Sequence, residues 1–332
     1  MSAPPPELPP SAAQPYRAGL RRFKWHDASR SRPVWADVWF PSTDDSGEPA
    51  LATRGVPFPL VVMSHGASGA PLNYAWLAEF LARSGVVVLG VAHFGDSWMY
   101  GTDTIDGVTV ARLWVRPSDC SFALTQLLES QAFKDRIDTA RIGALGHSSG
   151  GAATIALGGA VFDPGALVDY CRSDAGELDR GCWYARAATV PAVFPPEATR
   201  NYRDSRVVAI VALDPAAGPA CTAEALADVR VPVMVVGSED NDFLPFERHA
   251  GHYGRLLPNV SVVVLRHGEG HFVYLNTAID SKEAFGVPLY IDRQGVNRDA
   301  VHARLAPEIL AFFLAAMEVS ACEEDEGSSF PR

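Results

Sequence analysis

Residues 141–151 read Arg-Ile-Gly-Ala-Leu-Gly-His-Ser-Ser-Gly-Gly. The front half, Ile142 to Leu145, is a short apolar run of the kind that forms a strand buried on both faces. Gly146-His147-Ser148-Ser149-Gly150 fits the pattern G-x-S-x-G, and Ala152 to Leu157 behind it is a small apolar segment able to start a helix. Strand, sharp turn and helix are the context in which this pattern puts a serine hydroxyl at the apex of a turn. The glycines answer to close approach, because a Cβ at those points would clash with the neighbouring backbone. By itself the pattern also fits a plain glycine-rich turn, so its weight depends on what lies around it.

Outward from this stretch the chain repeats one rhythm. Pro59 to Met63 is a buried strand that ends in Ser64-His65-Gly66-Ala67-Ser68-Gly69, and Pro71 opens a helix that Gly85 closes. Val86 to Val91 is the next strand, followed by an aromatic loop from His93 to Gly101 and a helix from Pro117. After the central turn come strands at Val207–Leu213, Val231–Val236 and Ser261–Leu265, a helix from Pro245 to Leu257 and a closing helix from Pro307 to Val319. Strand and helix alternating in this way predict a parallel sheet covered on both faces. Before it, Arg17–Trp25 and Pro33–Phe40 predict an antiparallel pair, since the second alternates apolar and polar positions. The rhythm breaks at 158–205, which holds Cys171, Cys182 and a proline-rich stretch. That segment reads as a cap-like insertion over the site or as a peripheral decoration.

The domain division that results is a Pro-rich disordered arm at 1–15, one catalytic domain at 16–320 and a flexible acidic tail at 321–332. The chain has 332 residues, a formal net charge of −11 and no basic stripe, which argues against nucleic-acid binding. No unbroken apolar run reaches membrane-spanning length and no export signal is read at the N-terminus, so the expected setting is cytoplasmic. In that setting the five cysteines are expected as reduced, buried thiols; a Cys171–Cys182 bond would require an oxidising compartment. Oligomeric state is not legible.

Residues able to do chemistry recur just past strand ends, the edge where open α/β sheets build their sites. A serine needs a base to take its proton, and the base needs a partner to fix its tautomer. Ser148, Asp240 and His271 follow strand ends in that order. His267 is the rival base, and Asp214 and Asp242 are rival acids. The oxyanion of an acyl-transfer intermediate needs two preorganised N–H donors. The amides of Ser149 and Ala67 are the candidates, with His65 holding the second loop by hydrogen bonds. Phe94, Trp98, Met99, Tyr100, Trp183 and Tyr184 fall in loops that could line a substrate pocket or fill the core. No His/Cys/Asp cluster has metal-ligand spacing, so neither a metal nor a cofactor is expected.

Taken together, Pro59–Gly69, Arg141–Gly151, Val231–Pro245 and Gly268–Phe272 resemble the α/β-hydrolase superfamily. The nearest likeness is to the branch of platelet-activating-factor acetylhydrolases, bacterial cutinase-type polyester hydrolases and dienelactone hydrolase-like proteins. The resemblance spans most of 16–318 and implies the α/β-hydrolase fold, an acyl-enzyme on Ser148 and an oxyanion hole from the amides of Ala67 and Ser149. Acetylhydrolase-type members take the acid from the position of Asp214, cutinase-type members from the region of Asp240. Dienelactone hydrolases use a cysteine nucleophile, where this chain has Ser148. The expectation is a serine esterase acting on small apolar or aromatic esters, polyester-type substrates included, with Asp240 as the acid. Thioesterase, lactonase, amidase or acyltransferase activity on the same residues is the alternative, and a non-catalytic ligand-binding protein is the alternative of another class.

Overall fold

The computed structural model describes residues 14–43, 49–53, 57–187, 193–278, 282–284 and 286–327, with side chains of the last helix described as far as Glu318. Nearly all of the expected arm and the last five residues of the expected tail lie outside the described residues.

Eight strands form one sheet: β1 (Arg17–Asp27), β2 (Arg32–Ser42), β3 (Phe58–Ser64), β4 (Val87–His93), β5 (Ile137–His147), β6 (Val207–Leu213), β7 (Val233–Ser238) and β8 (Val260–Leu265). Their spatial order is β1-β2-β4-β3-β5-β6-β7-β8. β1 and β2 pair antiparallel, as do β2 and β4, and every pair from β4 onward is parallel. The parallel strands are continuous apolar runs because both faces are covered. Along β3, Leu60 and Val62 join the core on one side of the sheet, whereas Val61 and Met63 join the core on the other.

Helices α1 (Ala75–Arg83), α2 (Gly107–Ala111), α3 (Val115–Glu129), α4 (Ser149–Leu157), α5 (Pro164–Arg172), α6 (Cys182–Ala187), α7 (Ala223–Leu226), α8 (Ala250–Leu256) and α9 (Arg298–Gly327) follow in chain order. Leu124, Leu127 and Tyr253 from α3 and α8 pack on one face; Leu77, Leu81, Ile309 and Phe313 from α1 and α9 pack on the other. Each such fully buried large side chain contributes about 1.5–3 kcal/mol. α9 begins nine residues before the expected start at Pro307, with that proline inside it. Val301 and Leu305 ahead of the proline are buried against the same face as Ile309 and Phe313 behind it. This packing outweighs the lost hydrogen bond that makes proline a helix breaker. The span Arg298–Glu318 is long and apolar enough to cross a membrane by composition, but half of it is buried within the fold.

All six parallel strands end along one edge of the sheet, and the loops leaving that edge carry Ala67, Ser148, Asp214, Asp240 and His271. The segment after α4 supplies α5 and α6, joined by a disulfide between Cys171 and Cys182. The expectation of reduced thiols therefore fails for this pair and holds for Cys120 and Cys221, which are free and buried. Among the contacts that tie the segment to the core, His249 bonds Asp179 at 2.6 Å, and the Arg180 amide donates to the Phe243 carbonyl at 3.0 Å.

Candidate active site

Ser148 sits between β5 and α4 with φ 56° and ψ −121°, a conformation a residue with a Cβ adopts only under constraint. The constraint is visible. Its amide donates to the Leu213 carbonyl at 3.0 Å, and its carbonyl accepts from Ala152 at 3.1 Å and Ala216 at 3.0 Å. The two outer glycines of the pattern allow the turn to close. A Cβ on Gly146 would lie 2.2 Å from the Gly150 carbonyl oxygen, and one on Gly150 would lie 2.0 Å from that of Ser64.

His271 opens a short 3-10 turn, His271–Tyr274, after β8. Its Nδ1 is 2.7 Å from Oδ2 of Asp214, its ring stacks on Phe243 with centroids 5.0 Å apart, and its amide donates to Oδ1 of Asp242 at 2.9 Å. Both His271 and Asp214 are buried. Burial disfavours charge on either group alone, so it lowers the imidazole's pKa and raises the carboxyl's. Donors from the Asn241 amide group and the Ser238 backbone oppose the second shift by holding the carboxylate. With Nδ1 committed to Asp214, Nε2 is the ring nitrogen left for a proton from Ser148. Ser148 and His271 line the same cavity of about 280 Å³.

Asp214 thus replaces Asp240 as the partner of the imidazole. β7 runs to Ser238, two residues beyond its expected end, so Asp240 falls in the turn with its side chain exposed. Its carbonyl accepts from Arg293 at 2.7 Å. Asp214 ends β6, one strand nearer the centre, and is fully buried. The hydrogen bond of Asp242 to His271 is to the backbone amide and not to the ring. The loop at 241–242 is a support for the pair rather than its acid: Asn241 holds Asp214 and Asp242 holds the His271 main chain. His267 is exposed, and its amide donates to Glu269 at 2.6 Å.

The loop after β3 is braced on every side. Gly66 N–H donates to the Tyr74 hydroxyl at 3.0 Å, Ser68 N–H to Asp96 at 2.7 Å, and Gly69 N–H to the Gly66 carbonyl at 3.1 Å. Among the described residues no acceptor takes the amide of Ala67. Ser149 is the first residue of α4, where an amide has no partner within the helix. Beneath the loop lies a buried ion pair. Arg116 donates to Asp96 through Nε at 3.0 Å and to the His65 carbonyl through Nη1. His65 is fully buried; its Nδ1 lies 2.7 Å from the Gly66 carbonyl and its Nε2 accepts from the His93 amide at 3.3 Å. A second chain of bonds runs from the Tyr74 hydroxyl to His147 Nδ1 at 2.8 Å, and from His147 Nε2 to the His271 carbonyl at 2.9 Å.

The expected pocket aromatics divide. Tyr184 and Trp98 line cavities at Ser148. Met99 is buried with Ala70 and Ala92, and the Tyr100 hydroxyl is bonded to the Trp35 amide at 2.6 Å and the Ala92 carbonyl at 3.0 Å, so both are structural. Phe94 packs edge-on against Tyr100, and Trp183 is 54% exposed; neither lines the site. Trp114, Phe194, Phe243 and Phe272 line it instead. They stand outside the expected aromatic loop, and only the fold brings them in. Among the described residues no group of His, Cys, Asp and Glu has the arrangement to hold a metal.

A model of the alpha/beta hydrolase family matches residues 61–280, which include the serine turn, Asp214 and nearly the whole parallel sheet. Among solved structures, the ferulic acid esterase from Streptomyces cinnamoneus is similar, with a TM-score of 0.56, 21% identity, and coverage of 90% of this chain and 89% of that one. At this identity the likeness speaks for the fold alone. No curated protein sequence matches the chain. The family match, the sheet order and the strained serine turn agree: this chain belongs to the α/β-hydrolase family.

Proposed function

We propose that the protein is a serine hydrolase of carboxylic esters, working through an acyl-enzyme on Ser148. The observation that carries the reading is that His271, bonded to the buried Asp214, shares a cavity with a serine held at φ 56°. His271 Nε2 takes the Ser148 proton as Oγ attacks the acyl carbonyl. Asp214, bonded to Nδ1, keeps the other nitrogen free and stabilises the imidazolium that forms. The amides of Ala67 and Ser149 receive the oxyanion. His271 then protonates the leaving alkoxide, and the same base activates water to release the acid. Each step is a proton transfer or an acyl transfer among Ser148, His271, the ester and water.

A fluorophosphonate should form a covalent adduct on Ser148. Ser148→Ala should lose at least about 10⁴-fold in kcat on p-nitrophenyl esters, with an unfolding midpoint that does not fall. Labelling elsewhere, or an active alanine variant, overturns the reading. The same panel extended to thioesters, lactones and amides ranks the alternatives on this site.

A further inference from the structure

Two cavities meet at Ser148. The smaller, about 280 Å³, is lined by the loop 66–69 and by His271. The larger, about 450 Å³, is lined by Ser148 and Ser149 but by neither Ala67 nor His271. In the proposed mechanism the tetrahedral carbon carries four groups, of which Ser148 Oγ is one. The oxyanion, shared by the amides of Ala67 and Ser149, stays where the two cavities join. The leaving oxygen must lie within reach of His271 to take its proton, which puts the alcohol in the smaller cavity. The remaining group is the carbon chain of the acid, and the larger cavity is the space left for it.

Much of the wall of that larger chamber comes from two stretches outside the sheet. Leu113 and Trp114 stand between α2 and α3, and the inserted segment adds Leu167 and Val168 of α5, Tyr184 of α6 and Phe194. α6 is fixed to α5 by the Cys171–Cys182 disulfide and by Arg186, whose guanidinium donates to the Cys171 carbonyl at 2.8 Å and to the Gly176 carbonyl at 2.9 Å. The wall is therefore tied in place without help from a ligand. Its charged and ionisable residues offer an acyl chain little. Asp179 and His249 are bonded to each other at 2.6 Å and each is 2% exposed, and Arg112 is turned to solvent. An acetyl group would place a single methyl in this space, whereas a longer chain would cover apolar walls that otherwise face water.

We propose that the larger chamber is an acyl subsite, and that the preferred substrates are esters whose long apolar arm lies on the acid side and not on the alcohol side. This rests on the ester-hydrolase reading and adds the substrate class to it. Leu113 and Leu167, both partly buried against Ala152 and Ala217, are specificity-determining residues of the subsite. Each methylene enclosed by apolar walls favours the ester that carries it, so the preference grows with the length of chain the chamber admits.

The test compares kcat/KM for ethyl octanoate and octyl acetate, at concentrations where both dissolve as single molecules, with p-nitrophenyl acetate as a general ester. The two are constitutional isomers and each expels a primary alcohol, so their ratio reads which side of the ester the larger chamber takes. Ethyl octanoate should be preferred by about tenfold or more. In Leu113→Trp and Leu167→Trp, which fill the chamber, that ratio should fall towards one. A ratio taken within one protein does not depend on how much of it is folded. Should a tryptophan abolish turnover of both isomers, Leu113→Phe and Leu167→Phe carry the same comparison. Equal rates on the isomers, a preference for octyl acetate, or a preference that none of these substitutions reduces overturns the proposal, while turnover of p-nitrophenyl acetate leaves the esterase standing. No turnover of any ester by the unsubstituted protein removes the esterase reading and this one with it.

Discussion

Asp214 and Asp240 both follow strand ends, and both stand between Ser148 and His271 in the chain, yet one is fully buried and the other exposed. Only a buried carboxylate in contact with the imidazole can fix its tautomer against competition from water. Asp214→Asn should therefore lower kcat by about 10³–10⁴-fold, while Asp240→Asn should stay within a factor of a few, as steady-state kinetics will read directly. The reverse order would return the acid role to Asp240. The proposed base has its own signature. His271 must be neutral to accept the serine proton, and burial moves its pKa below the ordinary value near 6.5. The acid limb of kcat/KM should accordingly lie below pH 6.5, with activity flat above it; a limb above pH 7 would point to a different group.

At the scale of elements, the loop after β3 is held by two helices at once. α1 is led in by Tyr74, whose hydroxyl takes the Gly66 amide, and α3 sends up Arg116 to bind the His65 carbonyl and Asp96. Asp96 in turn takes the amide of Ser68. The amide between them, that of Ala67, is thus aimed by its neighbours without being used by them. Arg116→Lys or Asp96→Asn should lower kcat by roughly 10–10²-fold with little change in KM, because donor alignment matters most when the oxyanion forms. A change confined to KM would refute this. None of these braces was legible in the sequence. Arg116 and Asp96 lie 20 residues apart in no motif, and an arginine at the start of a helix ordinarily reads as a solvated charge. The strands and the serine turn were legible, because apolar runs and close-packed glycines are demands of the backbone itself. Element ends were less so. β7, α8 and α9 begin or stop away from their expected limits, since packing on the sheet rather than local propensity decides where pairing and coiling end.

The whole molecule buries several imidazoles in addition to that of His271. Burial lowers the pKa of His65, His93, His147 and His302, in His93 and His302 to about 4, and of His271 likewise. In the unfolded chain each titrates near 6.5. Above that pH both states are neutral at these sites and stability is unaffected. As pH falls from 6.5 towards 4 the unfolded state gains protons that the folded state refuses, so stability drops by up to about 1.4 kcal/mol per pH unit for each histidine. Urea midpoints measured from pH 7.5 down to 4.5 should fall steeply below pH 6.5; a flat profile would mean that these imidazoles take up protons in the fold as readily as in the unfolded chain.

The order of apolar runs was enough to set an α/β sheet, the edge where its parallel strands end and the serine turn, because each depends on residues adjacent in the chain. The choice of Asp214 over its neighbours, the disulfide, the bracing of Ala67 and the walls of the two chambers belong to the tertiary structure alone. They depend on which side chains from distant segments are buried together. Burial is a property of the packed sheet, and no short stretch of sequence carries it.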